Sequence, residues 1–491
     1  MKIRVAHFMV LIAFTLYLGA CGNQINEIDT SSGTIQTIQG TQDPEESELD
    51  DGAAESENET QEKEEQEKAE QEKAEQERIQ QEKRRSYLAT AFNEKLSMVE
   101  EGEDREAFVE WLLDTYSLEQ LEAIDFSLDI NKQLYDVTGK SFHVLWDTCL
   151  GYLTDESTAA AHSIYLRECA ENAVVDLAFA GDICLTENGY VIDHFDEVGG
   201  DIRLCLSKEI LDRFHEADIS VINHEYPAST RGKALERKLY TFRAAPEREL
   251  ILQQMSIDVV SLANNHIFDY GEDAFYDTLE SLKQLGIPYV GAGENIAEAA
   301  RPVFFVAGGI KIGFVAANRS EVNIRTPEAG ENSPGVVRMY DTEMMNEIIR
   351  DTSRQCDYLI AYVHWGTEGS QYYEPYQKDI AREFFDSGAD AIIGSHPHVL
   401  QGMEFVDGKP LIYSLGDFWF NGRTKYTTIA NLKVTIDGLE ELSFLPCIQE
   451  GYETHYLSGS EQSAFFTHLQ KLSTGIRIDE NGVVNASNET E

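Results

Sequence analysis

The pattern of apolar and polar residues changes near residue 172. Before that point apolar side chains recur at helical spacing, as at Phe108, Trp111, Leu112 and Tyr116. Beyond it, short apolar runs alternate with amphipathic stretches. Spacing of three and four residues indicates helices, and strands alternating with helices indicate βαβ units. The pattern predicts a small helical region at 86–172 and an α/β body with a largely parallel or mixed sheet at 173–456.

The apolar runs locate the individual elements of this body. Strands are predicted at 174–180, 219–223, 259–263, 303–306, 310–316, 358–363, 391–394 and 411–415, and helices at 272–285, 342–350 and 377–387. Gly308 and Gly309 separate two of the strands, and paired glycines between apolar runs are typical of a hairpin turn.

Two further segments have little apolar patterning. Residues 22–85 are acidic and low in complexity, with Gln-Glu-Lys-Ala-Glu units from 61 to 83. These units form helices readily but carry no apolar stripe, so we predict a solvated stalk that is helical or disordered. A coiled coil is the alternative. Residues 457–491, rich in Thr, Ser, Asn and Glu near their end, are predicted to be a C-terminal tail.

The first residues are typical of an export signal. Lys2 and Arg4 precede an apolar run from 5 to 17, which is too short for a stable membrane span. The run ends in Leu-Gly-Ala-Cys, which resembles a lipoprotein cleavage site, so we predict a signal peptide at 1–21 and acyl chains on Cys21. The protein would then sit on the extracytoplasmic face of a bacterial membrane. An ordinary secretory peptide with a chance cysteine is the alternative.

Charge and cysteine content narrow the function. The chain has 88 acidic and 39 basic residues, a net charge of −49. Nucleic acid is therefore excluded as a partner, and a polyanionic substrate requires bound metal or a local basic patch. Besides Cys21, the chain has Cys149, Cys169, Cys184, Cys205, Cys356 and Cys447. Six further cysteines in an exported protein permit disulfides without selecting a pairing, and the lack of CxxC spacing argues against a cysteine-type zinc site.

Polar clusters follow five of the predicted strands. They are Asp182, Asn223-His224-Glu225, Asn264-Asn265-His266, His364 and His396-Pro397-His398. The carboxyl ends of strands in an open α/β sheet converge on one crevice, so these clusters can form a single site. Carboxylate, amide and imidazole donors suit one or two divalent ions such as Mn, Zn, Fe or Mg. Two ions about 3.5–4 Å apart would activate water. The alternative is that the polar strand ends bind nothing.

The order of these motifs resembles the CapA family of poly-γ-glutamate capsule proteins. The resemblance covers 174–456 and rests on Gly181-Asp182, Asn223-x-Glu225, Leu262-Ala263-Asn264-Asn265-His266 with Asp269-Tyr270-Gly271, Phe242-Arg243-Ala244, His364-Trp365-Gly366-x-Glu368, Gly394-Ser395-His396-Pro397-His398 and Tyr413-Ser414-Leu415-Gly416. It implies a metallophosphoesterase-like fold, a sheet sandwich flanked by helices with a two-metal site.

The resemblance also implies residue roles. Metal ligands would be Asp182, Glu225, Asn265, His364, His396 and His398. His266 would protonate a leaving group, and Arg243, Asn223 and Glu368 would contact substrate, although a structural ion pair is an equal interpretation of Arg243. Two departures weaken the match. Cys184 stands where metallophosphoesterases usually have a histidine, so one ion position is in doubt, and Asp417 replaces a usual asparagine, where it adds either a ligand or a turn.

Two functions from different classes agree with this sequence. The first is a metal-dependent hydrolase or polymer-modifying enzyme that takes part in poly-γ-glutamate capsule synthesis, export or processing. The second is a non-catalytic accessory subunit of a capsule synthase complex. Partners expected in either case are the membrane through the lipid anchor, polyglutamate or another cell-envelope polymer, and capsule synthase subunits.

Overall fold

The computed structural model describes residues 52–97, 103–169, 174–187, 190–320 and 325–487. The predicted signal peptide and Cys21 lie outside these residues. The chain divides into two compact units, Met1–Gln76 and Glu77–Glu491, and every described element after the first helix belongs to the second unit. Among the described residues, no helix combines the length and the apolar character that a membrane crossing requires.

The helices are numbered in chain order over the described residues. They are α1 Gly52–Leu96, α2 Glu103–Thr115, α3 Leu118–Leu121, α4 Ile130–Thr138, α5 Phe142–Cys149, α6 Glu156–Ala161, α7 Val191–Glu197, α8 Lys208–Glu216, α9 Leu250–Gln254, α10 Glu272–Leu285, α11 Ile296–Ala299, α12 Glu343–Ser353, α13 Pro375–Ser387 and α14 Gly459–Leu472. Short 3₁₀ turns occupy Ile202–Leu204 and Pro246–Glu249.

The strands are numbered in the same way. They are β1 Ile164–Leu166, β2 Val175–Ile183, β3 Ile219–His224, β4 Val259–Ser261, β5 Tyr289–Val290, β6 Ala292–Gly293, β7 Val303–Ala307, β8 Ile310–Asn318, β9 Gly335–Val336, β10 Tyr358–His364, β11 Ala391–Ser395, β12 Met403–Val406, β13 Lys409–Ile412, β14 Asp417–Trp419, β15 Lys425–Thr435, β16 Gly438–Glu450, β17 Glu453–Tyr456, β18 Ile476–Ile478 and β19 Val484–Ala486.

Two mixed sheets form the body of the protein. The first has the order β17-β16-β15-β2-β3-β4-β5, with β14 pairing with β2, and the second has the order β1-β7-β8-β10-β11-β13-β12. Strands β2 to β5 run parallel to one another, as do β8, β10, β11 and β13, while antiparallel strands lie toward the edges. Parallel segments require crossover helices, which the amphipathic stretches supply.

The main core lies between the two sheets. Phe179 and Val221 of the first sheet pack in one cluster with Phe314 and Ile360 of the second. The opposite faces are covered by helices: Phe214 of α8 belongs to a cluster on the first sheet, and clusters of α12 and α13 residues cover the second. The predicted α/β sandwich flanked by helices is confirmed.

Most predicted elements occur within a few residues of their expected bounds. Helix α10 has the bounds predicted for it, and the carboxyl ends of β2, β8 and β10 extend slightly further than the apolar runs indicated. Gly308 and Gly309 form the predicted hairpin turn between β7 and β8, and both have a positive φ. This conformation is easily reached by glycine and costs other residues free energy.

The predicted stalk and the predicted helical region are joined by one continuous helix across the boundary at residue 85. Helix α1 runs through that boundary to Leu96, because Leu88, Phe92 and Leu96 form an apolar stripe that packs against Leu112 and Leu134. Residues 61–82 of the same helix are exposed, in agreement with a solvated stalk that is helical.

The helical region is attached to the body at the turn between β7 and β8. The Tyr135 hydroxyl donates to the Gly308 carbonyl at 2.8 Å, and Lys311 Nζ lies 2.6 Å from Asp147 Oδ2 in a buried ion pair. The two parts therefore share polar contacts that neither could satisfy alone.

The predicted C-terminal tail is wrong for the described residues beyond 456. Helix α14 and the β18–β19 hairpin follow there, and Phe465, Leu469 and Ile476 are buried in the core between the sheets. The helical spacing of Phe465, Phe466 and Leu469 carried this information but is diluted by polar neighbours.

The described cysteines are all free thiols: Cys149, Cys169, Cys184, Cys205, Cys356 and Cys447.

Candidate metal centre

The polar clusters converge because the parallel strands of both sheets end at one crevice. Asp182 lies opposite Asn223 in the β2–β3 ladder, and His364 lies opposite Ser395 in the β10–β11 ladder. The Tyr362 hydroxyl donates to the Ala180 carbonyl at 2.8 Å and so joins the two sheets just before their carboxyl ends. Residues from both sheets therefore share one site.

Gly181 explains part of the Gly-Asp motif. A Cβ atom at this position would lie 2.0 Å from the Gly416 carbonyl oxygen, which no side chain allows. The close approach lets the Asp182 amide donate to that same carbonyl at 2.9 Å. The glycine thus sets the backbone on which the Asp182 carboxylate is placed.

All six predicted ligands lie in this crevice. His364 Nε2 is 2.8 Å from Asn265 Oδ1 and 3.8 Å from Glu225 Oε1. His398 Nε2 is 3.8 Å from the same Glu225 oxygen, and the His396 amide donates to Asp182 Oδ2 at 3.3 Å. Among the described residues, three sets of donor atoms could hold an ion: Glu225, His364 and His396; Asp182, Glu225 and His398; and Glu368, His396 and His398.

The donor set fits a divalent ion. Glu225 Oε1 and His396 Nδ1 are buried and have no hydrogen-bond partner among the described residues. Burial lowers the pKa of His364 and of His396 well below the usual range, so both imidazoles are neutral and keep a lone pair for a ligand. Burial, and then the charge of Asp182, raise the pKa of Glu225 well above its usual range. Buried polar atoms without partners are costly, and a metal ion would satisfy them.

His396 and His398 both have a left-handed backbone. Their φ angles are 100° and 58°, on either side of Pro397. Such conformations cost about 1–3 kcal/mol each for residues other than glycine and occur mainly at functional sites. Here they direct two imidazoles of one short segment into the cluster.

Asn223 lies behind the ligands. Its side chain is completely buried, and its amide donates to Asp182 Oδ1 at 2.8 Å and to Glu225 Oε2 at 3.0 Å. Because Asn223 is completely buried, its position does not support the prediction that it contacts substrate. Its contacts instead hold two carboxylates side by side.

His266 is oriented by an aspartate that sequence reasoning did not assign. His266 Nδ1 is 2.6 Å from Asp269 Oδ2, and its Nε2 is 3.9 Å from Glu225 Oε1. Lys238 Nζ lies 2.6 Å from Asp269 Oδ1. Burial lowers the pKa of His266, and the Asp269 charge opposes that effect. The His-x-x-Asp spacing was the available signal for this pair.

Cys184 supplies no donor to the cluster. Its Sγ lies 3.2 Å from Thr186 Oγ1 within an apolar cluster, and burial raises the thiol pKa well above its usual range. The thiol is therefore protonated. The set of Asp182, Glu225 and His398 therefore gains no further ligand from Cys184.

The other two residues predicted to contact substrate, Arg243 and Glu368, differ in whether they line the cavity beside the cluster. The Arg243 guanidinium lies 4.2 Å from the Tyr270 ring centroid and donates to the Arg231 carbonyl at 3.1 Å, which are structural contacts. Glu368 is exposed and lines a cavity of about 710 Å³ that also reaches His266 and His398. Arg243 does not line this cavity.

The fold and the cluster define a two-sheet α/β protein with a candidate divalent-metal centre at the strand ends. The chain belongs to the family described as bacterial capsule synthesis protein PGA_cap, whose family model matches residues 176–422.

Relatives agree with this family. The chain is 26% identical over 311 residues to the capsule biosynthesis protein CapA of Bacillus anthracis, covering 61% of this chain and 74% of that one. It is 29% identical over 251 residues to the PGA biosynthesis protein CapA of Bacillus subtilis, covering 50% and 64%. A probable polyglutamine synthesis accessory protein of Mycobacterium tuberculosis is 30% identical over 213 residues, with 41% and 55% covered.

Solved structures show weaker likenesses. A hypothetical protein from Thermus thermophilus matches with a TM-score of 0.36 and 15% identity, covering 56% of this chain and 100% of that one. A putative 5′-nucleotidase from Staphylococcus aureus matches with a TM-score of 0.35 and 14% identity, covering 60% and 58%.

Proposed function

We propose that this protein is a metal-dependent hydrolase, anchored by lipid to the outer face of the cytoplasmic membrane, that processes poly-γ-glutamate or another cell-envelope polymer. The observation that carries the proposal is the environment of Glu225 Oε1. This atom is buried without a hydrogen-bond partner among the described residues, and Glu225 belongs to two of the candidate ion sets. Glu225 would therefore help to hold an ion in either set, and a bound ion would satisfy the partnerless oxygen.

The donor sets suggest unequal ion positions. Glu225, His364 and His396 would hold one ion, with Asn265 Oδ1 beside His364. Asp182, Glu225 and His398 would hold a second. Bound divalent ions supply Lewis acidity and an activated water.

Proton transfer to the leaving group is assigned to His266. Asp269 Oδ2 accepts a hydrogen bond from Nδ1–H of His266, which fixes the ring and stabilises its charged form. The ring also lies on the wall of the cavity, so Nε2 can give its proton to the leaving group of a phosphoester, amide or polyglutamyl bond. Phe242, whose ring centroid is 4.2 Å from that of His266, limits access of water on one side.

The membrane location rests on the sequence. The Leu-Gly-Ala-Cys segment that ends at Cys21 supports a lipid anchor, and the polar helix that begins at Gly52 supports a spacer between anchor and body. Replacing Cys21 with serine should release the protein from the membrane fraction, as measured by fractionation of cells. Retention of the C21S variant in that fraction would contradict the anchor.

The hydrolase proposal is tested with the full-length protein and two site variants. Metal content is measured by mass spectrometry, and turnover is measured on a chromogenic phosphodiester and on poly-γ-glutamate. We expect His396→Ala to lose metal and turnover. We expect His266→Ala to keep metal and lose turnover by about 10²–10⁴-fold, the usual contribution of a general acid. His455→Ala, a half-exposed histidine on β17, serves as the control.

Metal-free wild-type protein without turnover on either substrate would contradict the proposal. It would favour the second candidate, a non-catalytic accessory subunit that handles polymer for a synthase complex. The mycobacterial relative is named a probable polyglutamine synthesis accessory protein, which favours this candidate. In cells that make the polymer, an accessory subunit carrying His266→Ala would support normal capsule, whereas a hydrolase carrying it would not.

A further inference from the structure

The cavity beside the candidate metal centre has aromatic walls. It is lined by His266 and His398 and by five aromatic side chains: Tyr190, Tyr240, Phe242, Phe420 and Tyr452. The Phe420 and His398 ring centroids are 4.9 Å apart, so the apolar wall continues to the candidate ligands. A ligand whose body contains methylene groups or rings fits such walls.

The cavity also contains one cation without an anionic partner. Lys425 is neutralised, since its Nζ lies 2.6 Å from Asp417 Oδ2. The Arg423 side chain, in contrast, makes no hydrogen bond or ion pair with any residue that the structure describes, although its backbone does. Arg423 is exposed and lines this cavity, so in a chain with a net charge of −49 it supplies a local positive charge that an anion can reach.

The loop that carries Arg423 is fixed by a buried glutamine. Gln449 Oε1 accepts from the amides of Phe420 and Asn421 at 2.6 Å and 3.0 Å. The Arg423 amide donates to Asn421 Oδ1 at 2.9 Å, and its carbonyl accepts from Gln449 Nε2 at 3.2 Å. The guanidinium is thus presented from an ordered backbone, which lowers the entropy lost when it binds a ligand.

Tyr452 adds backbone strain at the same wall. Its φ is 73°, a left-handed conformation, and its carbonyl accepts from Trp419 Nε1 at 2.9 Å. A Cβ atom on Gly422 would lie 2.8 Å from the Tyr452 ring, so the glycine is needed for their contact. The strained tyrosine and the arginine loop are built against each other at the cavity.

We propose that Arg423 binds a carboxylate of the substrate, at a subsite next to the bond that reaches the metal cluster. The inference rests on the proposed function, because it names the substrate chemistry of that site. A guanidinium offers a planar fork that matches a carboxylate, and the overall negative charge of the protein repels anions unless a local cation holds them. Methylene groups on the aromatic wall with a carboxylate on Arg423 describe a chain of acidic amino acids.

Binding is measured without turnover, so failure of this inference is distinct from failure of the hydrolase proposal. A dye-labelled γ-linked glutamate oligomer and its methyl ester are titrated with metal-stripped full-length protein, and fluorescence anisotropy reports the dissociation constants. We expect Arg423→Gln to weaken binding of the acid at least tenfold and to leave binding of the ester unchanged. Arg423→Lys, which keeps charge but not the fork, should fall between wild type and Arg423→Gln.

The matched control is Arg354→Gln, which removes the same charge from an exposed residue outside the cavity. Equal binding of the acid by wild type and Arg423→Gln would overturn the inference. An equal loss of acid binding in the Arg354→Gln control would also overturn it, because that result would show an effect of the overall charge of the protein and not of Arg423. Glutarate should displace the acid oligomer more strongly than inorganic phosphate does, and displacement by phosphate to the same extent would overturn the carboxylate assignment.

Discussion

Asp417 Oδ1 lies 2.7 Å from His398 Nδ1, which is also 3.3 Å from Asp182 Oδ2, so the imidazole is held by a carboxylate behind it and one within the metal cluster. The opposite nitrogen, Nε2, is directed at Glu225 Oε1. Burial lowers the pKa of His398, but the charges of Asp417 and Glu225 outweigh burial and raise it well above its usual range. A carboxylate behind a ligand histidine orients the ring and strengthens its donor nitrogen.

Replacing Asp417 with alanine should therefore weaken metal binding. We expect a loss of about 10–100-fold in affinity for Mn²⁺ or Zn²⁺, the usual effect of removing a carboxylate behind a metal-bound histidine. Asp417→Asn should lose less, since its amide oxygen still accepts from Nδ1. Isothermal titration measures both, and Asp379→Ala, an exposed aspartate on α13, is the control. Affinity unchanged in Asp417→Ala would exclude this positioning effect.

Asp269→Asn tests the proton chemistry separately from metal binding. The variant removes the charge that supports His266, so turnover should fall by about 10²-fold or more while bound metal stays at the wild-type level. Steady-state kinetics and metal analysis of the same preparation give both quantities. A parallel loss of metal would show that Asp269 maintains the cluster instead, and a thermal melt checks that the fold is intact.

The buried Lys311–Asp147 pair should contribute to the stability of the helical region on the body. Lys311→Met leaves the Asp147 carboxylate buried without its partner, and breaking such a pair costs about 3–5 kcal/mol. The double variant Lys311→Met with Asp147→Leu should recover much of the loss, because it leaves no uncompensated charge. Urea unfolding followed by circular dichroism measures the free energies. Equal stability of wild type and Lys311→Met would show that the contact is dispensable.

Helix α14 should be part of the folded core. Phe465 is fully buried between the sheets, so Phe465→Ala should lower the free energy of unfolding by about 3–5 kcal/mol. Leu239→Ala, at a side chain that is 86% exposed, should change it little. An effect of Phe465→Ala as small as that of Leu239→Ala would restore the prediction of a loose tail.

The sequence was informative where one short segment carries both strand and chemistry. Val259 to His266 combines an apolar run with Asn265 and His266, so the strand and its polar end could be predicted together. The parallel arrangement then brings such ends to one crevice without knowledge of the side-chain geometry. The predicted ligands converge in the structure for this reason.

The sequence did not indicate which distant segments pack against each other. Nothing near Arg423 indicates that Gln449 fixes its loop, and the helical spacing around Phe465 indicates an apolar helix face but not the sheets against which it packs. The left-handed backbone of His396 and Tyr452 depends on tertiary packing, since local preference disfavours it in both residues. These features determine the shape of the cavity, so specificity is less predictable than the presence of a site.

The candidate ligands are spread from Asp182 to His398, and this spacing constrains when the centre can form. No stretch of the chain shorter than this interval contains the set, and an unfolded chain offers no preformed metal site. If the protein crosses the membrane unfolded, as the proposed lipoprotein signal implies, the centre is assembled only after export. The ion it acquires is then decided by the metals of the surroundings and not by those of the cytoplasm.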